Sequence, residues 1–387
     1  MMRAQYYATQ VAELIEMVET GQGYEAETVQ SLKASDYLDP GRLKREKKMF
    51  RRLPLIVAHS SGLAKPGDFL VHEFDDQSWL IVRGDDGKVR GFYNYCQHRG
   101  TKLVHERGGC KKRFTCPYHA WTYGVKGDLI GIPRSDLFPN LNKKNHGLKA
   151  VHIEEAFGFI WLTQDHEQTF SLASFLGPEL VDEMTEMDLG SYSVYFDKTR
   201  DLKANWKFPL YAFLEPYHIN VLHKNSIGDF FVENVAHSER FGPHIRSFVP
   251  RKNIVELQGA DLSQANFADY VTPSNILFPN VCTIAHPTSF SIISMFPGAT
   301  PGESRWRHML LVPKAPETKA EYAHYDKTVA VLDGVTYEKE DFWASEQIQQ
   351  GINAGAIDKL LLAKNEVMLK VFSDTVDEWS SSSDGAT

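Results

Sequence analysis

Between Asn205 and His223 a mostly apolar segment, Asn205-Trp206-Lys207-Phe208-Pro209-Leu210-Tyr211-Ala212-Phe213-Leu214-Glu215-Pro216-Tyr217-His218-Ile219-Asn220-Val221-Leu222-His223, carries a carboxylate and two imidazoles. Charge and imidazole inside such a segment need a partner, and a metal ion meets that need. Two neutral imidazoles completed by one distant carboxylate form a facial triad suited to non-haem iron(II), which leaves coordination positions open for dioxygen and substrate. His218 and His223 are five residues apart, so an ideal straight helix of about 3.6 residues per turn would separate them by ~140°. Pro216 lacks an N–H and clashes with the preceding turn, which supplies a local distortion that would let both rings face one ion. The competing reading is a pair of satisfied core histidines.

A second metal pattern lies upstream. Cys96-Gln97-His98 is followed, after seventeen intervening residues, by Cys116-Pro117-Tyr118-His119. Two thiolates for one iron and two imidazoles for the other are what a Rieske 2Fe-2S cluster requires. A structural zinc site uses the same ligand types, but zinc fingers pair cysteine with cysteine first, whereas here each cysteine is paired with a histidine. Cys110 and Cys282 fit no ligand position and read as free thiols.

The carboxylate for the imidazole pair has to come from elsewhere, and Asp341 in Glu338-Lys339-Glu340-Asp341-Phe342-Trp343-Ala344-Ser345-Glu346 is the best candidate. On a helix Asp341 shares a stripe with Ser345, Ile348 and Ile352, whereas Glu340 lines up with Ala344, Gln347 and Gly351. That periodicity turns Asp341 inward and Glu340 outward. The alternative is an acidic residue placed at a helix N-terminus for its charge.

Taken together, Cys96-x-His98-Arg99-Gly100, Cys116-Pro117-Tyr118-His119-Ala120-Trp121-Thr122-Tyr123, Asn205-Trp206-Lys207 and Glu215-Pro216-Tyr217-His218 with His223 resemble the α subunit, or terminal oxygenase component, of the Rieske non-haem iron oxygenases of the aromatic ring-hydroxylating type. The resemblance implies an α+β protein: a Rieske all-β domain, then a helix-grip (START-like) catalytic domain built on an antiparallel sheet, usually in a homotrimer. It implies one 2Fe-2S cluster on Cys96, His98, Cys116 and His119, and one mononuclear Fe(II) on His218, His223 and a carboxylate from a C-terminal acidic helix, here Asp341. It also gives Glu215 a catalytic role. Family members usually carry Asp there, joining a Rieske histidine of a neighbouring subunit to an iron-ligating histidine, so the path in this chain is His119, Glu215, His218. Some members acting on quaternary amines resemble this chain in carrying Glu. Gln97 is a second departure, at a position where arginine is common.

The elements that must position these residues fall into two domains, as expected for 387 residues. Residues 1–52 read as N-terminal helices, with Val11, Leu14, Ile15 and Val18 at helical spacing and a charged stretch after Asp39-Pro40-Gly41. The Rieske domain is expected over 53–163, where Phe69-Leu70-Val71, Trp79-Leu80-Ile81-Val82, a turn at Asp85-Asp86-Gly87 and Val89 to Tyr95 alternate as strands and hairpins. Residues 164–190 suit a helical connector and 191–376 the catalytic domain, with neighbouring antiparallel strands at Val281 to His286, Ser289 to Phe296 and Arg305 to Val312. Helical periodicity returns from Glu338 to about Phe372, and 377–387 reads as a flexible tail.

Composition narrows the function. The formal net charge of −8 disfavours a nucleic-acid or anionic-membrane partner. With only four cysteines and no signal-peptide pattern, the expected location is the cytoplasm. No Gly-x-Gly-x-x-Gly or Walker loop occurs, so electrons are expected from a separate NAD(P)H-dependent reductase, with or without a ferredoxin. The resemblance implies hydroxylation of an aromatic ring from dioxygen first, in aromatic hydrocarbon catabolism, and monooxygenation and demethylation of a methylated or quaternary amine second. Tyr211, Phe213, Phe290, Phe296 and Tyr337 suit the wall of either pocket. Readings from other classes are a Rieske electron-transfer protein without oxygenase chemistry, and a helix-grip binding module with zinc upstream.

Overall fold

Short apolar strands separated by Gly and Asp turns build the smaller of two units, Phe50–Leu172, in the computed structural model, which describes residues 2–21, 23, 25–164 and 171–381. Its main sheet has seven antiparallel strands in the order Leu55–His59, Phe159–Thr163, Ala150–Ala156, Val89–Tyr93, Gln77–Arg83, Asp68–Phe74 and Gly108–Cys110. Trp79-Leu80-Ile81-Val82 is buried throughout, which is why it reads as an unbroken apolar run instead of an alternating one. A three-stranded sheet of Arg113–Thr115, Thr122–Gly124 and Leu129–Gly131 completes the unit. Phe69, Leu80, Phe92, Phe114, Trp121 and Tyr123 pack into one core with Cys96 and Cys116.

The larger unit combines the residues up to Met49 with those from Ala173 onward. Its seven-stranded antiparallel sheet runs Ser193–Leu202, Ser304–Val312, Phe290–Pro297, Val281–Ala285, Val271–Leu277, His244–Pro250 and His237–Phe241. The three strands expected as neighbours are neighbours, with Ile292 opposite both Thr283 and Met309. Along the next pair, Thr272 faces Val249 and Ser274 faces Ser247, and all four alternate onto the face that lines a cavity. The helix Lys319–Val331 starts at a Thr318/Glu321 capping box and continues without a break into a wide-turn π segment, Leu332–Asp341, and then the α-helix Phe342–Asn353. Asp333 ties this arm to the sheet through Arg200 Nη1 at 2.7 Å and His308 Nδ1 at 3.3 Å.

Several elements differ from the expectations. The N-terminal helices, read as a segment of their own over 1–52, belong to the larger unit as far as Met49. The cause is a buried ion network: Glu46 on the helix Pro40–Arg52 accepts from Lys207 Nζ at 2.6 Å, Trp206 Nε1 at 2.7 Å and Arg42 Nε at 3.1 Å. The stretch from Glu338 to Phe372 is not continuous helix, because the strand Lys359–Leu362 interrupts it to pair with Gln30–Lys33. The last helix, Val367–Ser381, extends into the expected tail, where Asp377 Oδ1 meets Arg42 Nη2 at 2.7 Å. The rest of that tail, 382–387, lies outside the described residues. In the connector, helices Leu172–Leu176 and Pro178–Met187 are present, and 165–170 lie outside the described residues. Among the described residues no helix is long and apolar enough to cross a membrane.

Candidate metal centres

The upstream pattern folds into two turns with the same hydrogen-bond plan. In the first, Cys96 N–H donates to Thr101 O at 2.9 Å and Gly100 N–H returns to Cys96 O at 2.9 Å; in the second, Cys116 N–H donates to Trp121 O at 2.8 Å and Ala120 N–H to Cys116 O at 3.0 Å. Both turns close through a left-handed residue, Gly100 at φ +73 and Ala120 at φ +57, so Ala120 holds a conformation glycine adopts at lower cost. The cysteines are buried and the histidines partly exposed, with His98 Nδ1 and His119 Nδ1 facing each other at 3.1 Å. Tyr123 OH accepts the Gln97 N–H at 2.9 Å and lies 3.3 Å from Cys96 Sγ, leaving its own proton for the sulfur. His98 stacks on Trp121 at 4.8 Å between centroids and 8° between planes. Burial, with the neighbouring His119, holds the His98 imidazole below its ordinary pKa, which favours the neutral form a ligand needs.

In the larger unit His218 and His223 do not sit on one straight helix. They flank a single turn, Ile219–Leu222, His218 as its N-cap and His223 as its C-cap, which brings ring centroids to 5.0 Å with planes at 75°. The chain leaves His223 through a tight return in which Gly228 N–H donates to His223 O at 2.9 Å. A Cβ at Gly228 would meet His223 O and Ile219 O at 3.0 Å, so this position has no room for a side chain.

Each imidazole is held from behind by a carboxylate. Glu215 Oε1 lies 2.5 Å from His218 Nδ1 while its Oε2 accepts the His218 backbone N–H at 3.1 Å. Glu340 Oε2 lies 2.7 Å from His223 Nδ1 and accepts from Ser226 Oγ at 2.6 Å. With both Nδ1 protons directed at carboxylates, the Nε2 lone pairs are left to share a cation with Asp341 Oδ1, which lies 3.2 Å from His223 Nε2 and 3.8 Å from His218 Nε2. Burial alone would lower both imidazole pKa values, yet the surrounding carboxylates raise them, Glu215 mainly at His218 and Asp341 mainly at His223. Burial, together with the nearby charge of Glu215, pushes the Glu366 carboxyl up.

The donor set fits a metal ion. The three ligand atoms of His218, His223 and Asp341 lie within 4.8 Å of one another. Asp341 Oδ1 is buried without a hydrogen-bond partner, a state that a cation would relieve.

Asp341 reaches this point as the last residue of the π segment, not as part of the expected α-helical stripe; Ile348, placed on that stripe, is exposed. The wider turn brings Glu340 inward beside Asp341, which corrects the outward placement of Glu340. Its signal was adjacency to Asp341, from which a 3.6-residue period turns it by about 100°.

The trio opens onto a cavity of about 440 Å³. Phe213 and Tyr337 line it as expected; Tyr211, Phe290 and Phe296 are core residues, and Tyr211 OH lies 2.8 Å from Tyr37 OH. Phe230, Phe231, Ile284, Arg251 and His286, none of them singled out from the sequence, complete much of the wall. Cys110 and Cys282 are free thiols.

Residues 189–382 match the family model for the ring hydroxylating alpha subunit (catalytic domain), and residues 54–142 match that for the Rieske [2Fe-2S] domain. The carnitine monooxygenase oxygenase subunit of Escherichia coli (strain K12) is 31% identical over 212 residues, 54% of this chain and 56% of that protein. The large oxygenase component of the naphthalene 1,2-dioxygenase system of Pseudomonas putida is 35% identical over 187 residues, 47% of this chain and 41% of that protein. The chain thus spans about half the length of the curated relatives it matches. Its fold is shared with a quaternary ammonium Rieske monooxygenase solved with L-carnitine, at TM-score 0.76 and 20% identity over 90% of this chain and 95% of that one. It is also shared with naphthalene 1,2-dioxygenase of Rhodococcus sp. bound to indole, at TM-score 0.76 and 18% identity over 97% of this chain and 98% of that one.

Proposed function

The chain belongs to the ring-hydroxylating α-subunit family of Rieske oxygenases, and from that premise we propose that it is a terminal oxygenase component that hydroxylates a small organic substrate with oxygen from dioxygen. The observation that carries this reading is the trio of His218, His223 and Asp341, with its orphaned buried carboxylate oxygen, opening onto a cavity of substrate size. Cys96, Cys116, His98 and His119 would hold a 2Fe-2S cluster, the Rieske match favouring it over zinc, and His218, His223 and Asp341 would hold Fe(II). When bound, these groups supply single-electron storage and dioxygen activation. The protein's own part is to keep His218 and His223 in the tautomer that presents Nε2, through Glu215 and Glu340, and to surround the reacting bond with Phe213, Tyr337 and other apolar side chains that exclude water.

Glu215 has a second role in this proposal. Its carboxylate joins His218 to His119 of a neighbouring copy in a homotrimer, with a separate NAD(P)H-dependent reductase as the source of electrons, in the cytoplasm. Tyr217 and Val221, beside His218, and Tyr118, beside His119, are exposed apolar side chains of the kind a second copy would cover. An aromatic ring is the first substrate reading, supported by the aromatic side chains of the cavity. Oxidation of an N-methyl group of a quaternary amine is the second, favoured by Glu at position 215 and by the carnitine monooxygenase relatives. Single turnover of the reduced protein under oxygen-18 dioxygen, with naphthalene, indole and L-carnitine as separate substrates, tests both. Labelled hydroxyl on an aromatic product, or dioxygen-dependent loss of a methyl group from L-carnitine as formaldehyde, is expected and tells which reading holds; an aromatic product whose new oxygen comes from water, or demethylation without dioxygen, would contradict the oxygenase proposal.

A further inference from the structure

One largely buried cation in the cavity wall, Arg251, has no counter-charge within 4.0 Å among the described residues. Elsewhere in the larger unit the buried guanidinium groups are neutralised: Arg42 by Glu46 and Asp377, Arg200 by Asp333, and Arg246 by Glu183 and Glu239. Arg251, which follows the strand His244–Pro250 and lines the cavity, makes no ion pair within 4.0 Å among the described residues. Its Nε is buried with no hydrogen-bond partner, Nη2 has only a long contact of 3.4 Å to Thr272 Oγ1, and the guanidinium lies 5.7 Å from the centroid of the Phe231 ring. Asp269 is the one carboxylate whose field reaches it, and Asp269 Oδ1 already accepts from Asn266 Nδ2 at 3.2 Å. Among the described residues the carboxylates on the cavity wall are Glu215, held at His218 Nδ1, and Asp341, which faces the two Nε2 atoms as a candidate metal ligand.

A guanidinium withdrawn from water with no anion costs free energy, and its fork of N–H donors matches a carboxylate in two parallel hydrogen bonds. The surroundings add to the match. Ser247, Thr272 and Ser274 present hydroxyls on the same sheet face. His286, held neutral by burial with the charges of His308 and Arg251 beside it, can donate or accept without competing for the anion. At the exposed part of the wall Lys327, from the helix Lys319–Val331, also makes no ion pair within 4.0 Å among the described residues, and His324 beside it meets Thr288 Oγ1 at 2.8 Å.

We propose that Arg251 is a specificity-determining residue that binds a carboxylate of the substrate, so that this oxygenase acts on organic acids whose reacting part is apolar or N-methylated. The proposal rests on the cavity being the substrate site, and it holds under either substrate reading, since an aromatic acid and a betaine both carry the anion. The test is anaerobic calorimetric binding to the iron-loaded protein of three probe pairs, benzoate and benzamide, phenylacetate and phenylacetamide, and γ-butyrobetaine and its amide. At least one acid should bind about tenfold or more tightly than its amide, and Arg251→Met should abolish that preference while leaving amide binding and iron content unchanged. Arg251→Lys, which keeps the charge and loses the fork, should retain part of it. If no acid exceeds its amide in the wild-type protein, or if Arg251→Met keeps the preference, the proposal is overturned. Iron content and cluster absorbance, read on the same samples, report separately on the oxygenase reading.

Discussion

The two candidate centres differ in how much of the chain must close around them. The cluster donors lie on two neighbouring turns, Cys96 to Gly100 and Cys116 to Ala120, each folded by its own backbone hydrogen bonds. The candidate iron donors are brought together only after six of the seven strands of the larger sheet, all but Ser193–Leu202, have been laid down between His223 and Asp341. The electrostatics differ as well. His98 is held below its ordinary pKa, whereas His218 and His223 are raised by carboxylates, so His98 sheds a proton easily while the Nδ1 protons of His218 and His223 are held by Glu215 and Glu340. A centre made of local turns is written in motif spelling; a centre made by closure depends on every element in between.

The most severe break falls on the local centre. Cys96→Ala should abolish the red-brown absorbance of the cluster altogether, because thiolate-to-iron charge transfer gives the colour, while the fold and the His218/His223/Asp341 site persist. Visible absorbance and iron analysis check this. Glu215→Gln keeps size and removes charge, so both centres should fill, and reoxidation of a reduced cluster in single turnover should slow by about a hundredfold, the upper end for loss of an outer-shell partner. Rapid reoxidation with normal product yield would leave Glu215 only an orienting role.

The buried network that fastens the N-terminal helix should respond in stability, not in chemistry. Glu46→Ala strands Lys207, fully buried, and removes the acceptor of Trp206 Nε1, at a cost of about 3–5 kcal/mol, measured by denaturant unfolding. An unchanged midpoint would mean the network is solvated. The smallest effect belongs to Glu340→Gln, which keeps a hydrogen bond to His223 and should weaken iron affinity about tenfold with the cluster untouched, read by metal titration.

The legibility of the molecule follows the same divide. The hairpins from Phe69 to Tyr93, the adjacency of the strands from Val281 to Val312 and the two turns that bring His98 and His119 together could be read because period-2 patterning and short loops are local information. Asp341 was reached from a helical stripe although it ends a π segment, and the same stripe hid Glu340. Glu46 sits among Leu43 and Met49 on the buried side of its helix, a charge on an apolar stripe that marks a buried partner; its partner, Lys207, lies too far along the chain for periodicity to reach. Arg251 carries no motif at all, since what distinguishes it is a buried Nε without a hydrogen-bond partner, and that exists only in the folded chain.

The proposed oxygenase chemistry requires the three donors at the cavity to be a metal site. The most direct measurement is iron per chain in the wild-type protein and in Asp341→Ala, each loaded anaerobically with Fe(II). The wild type should hold about three irons and the variant about two, the cluster pair remaining with full absorbance and no product forming on turnover. A variant that keeps the third iron and its turnover would contradict the assignment of Asp341, and a wild type that never binds a third iron would contradict the site itself.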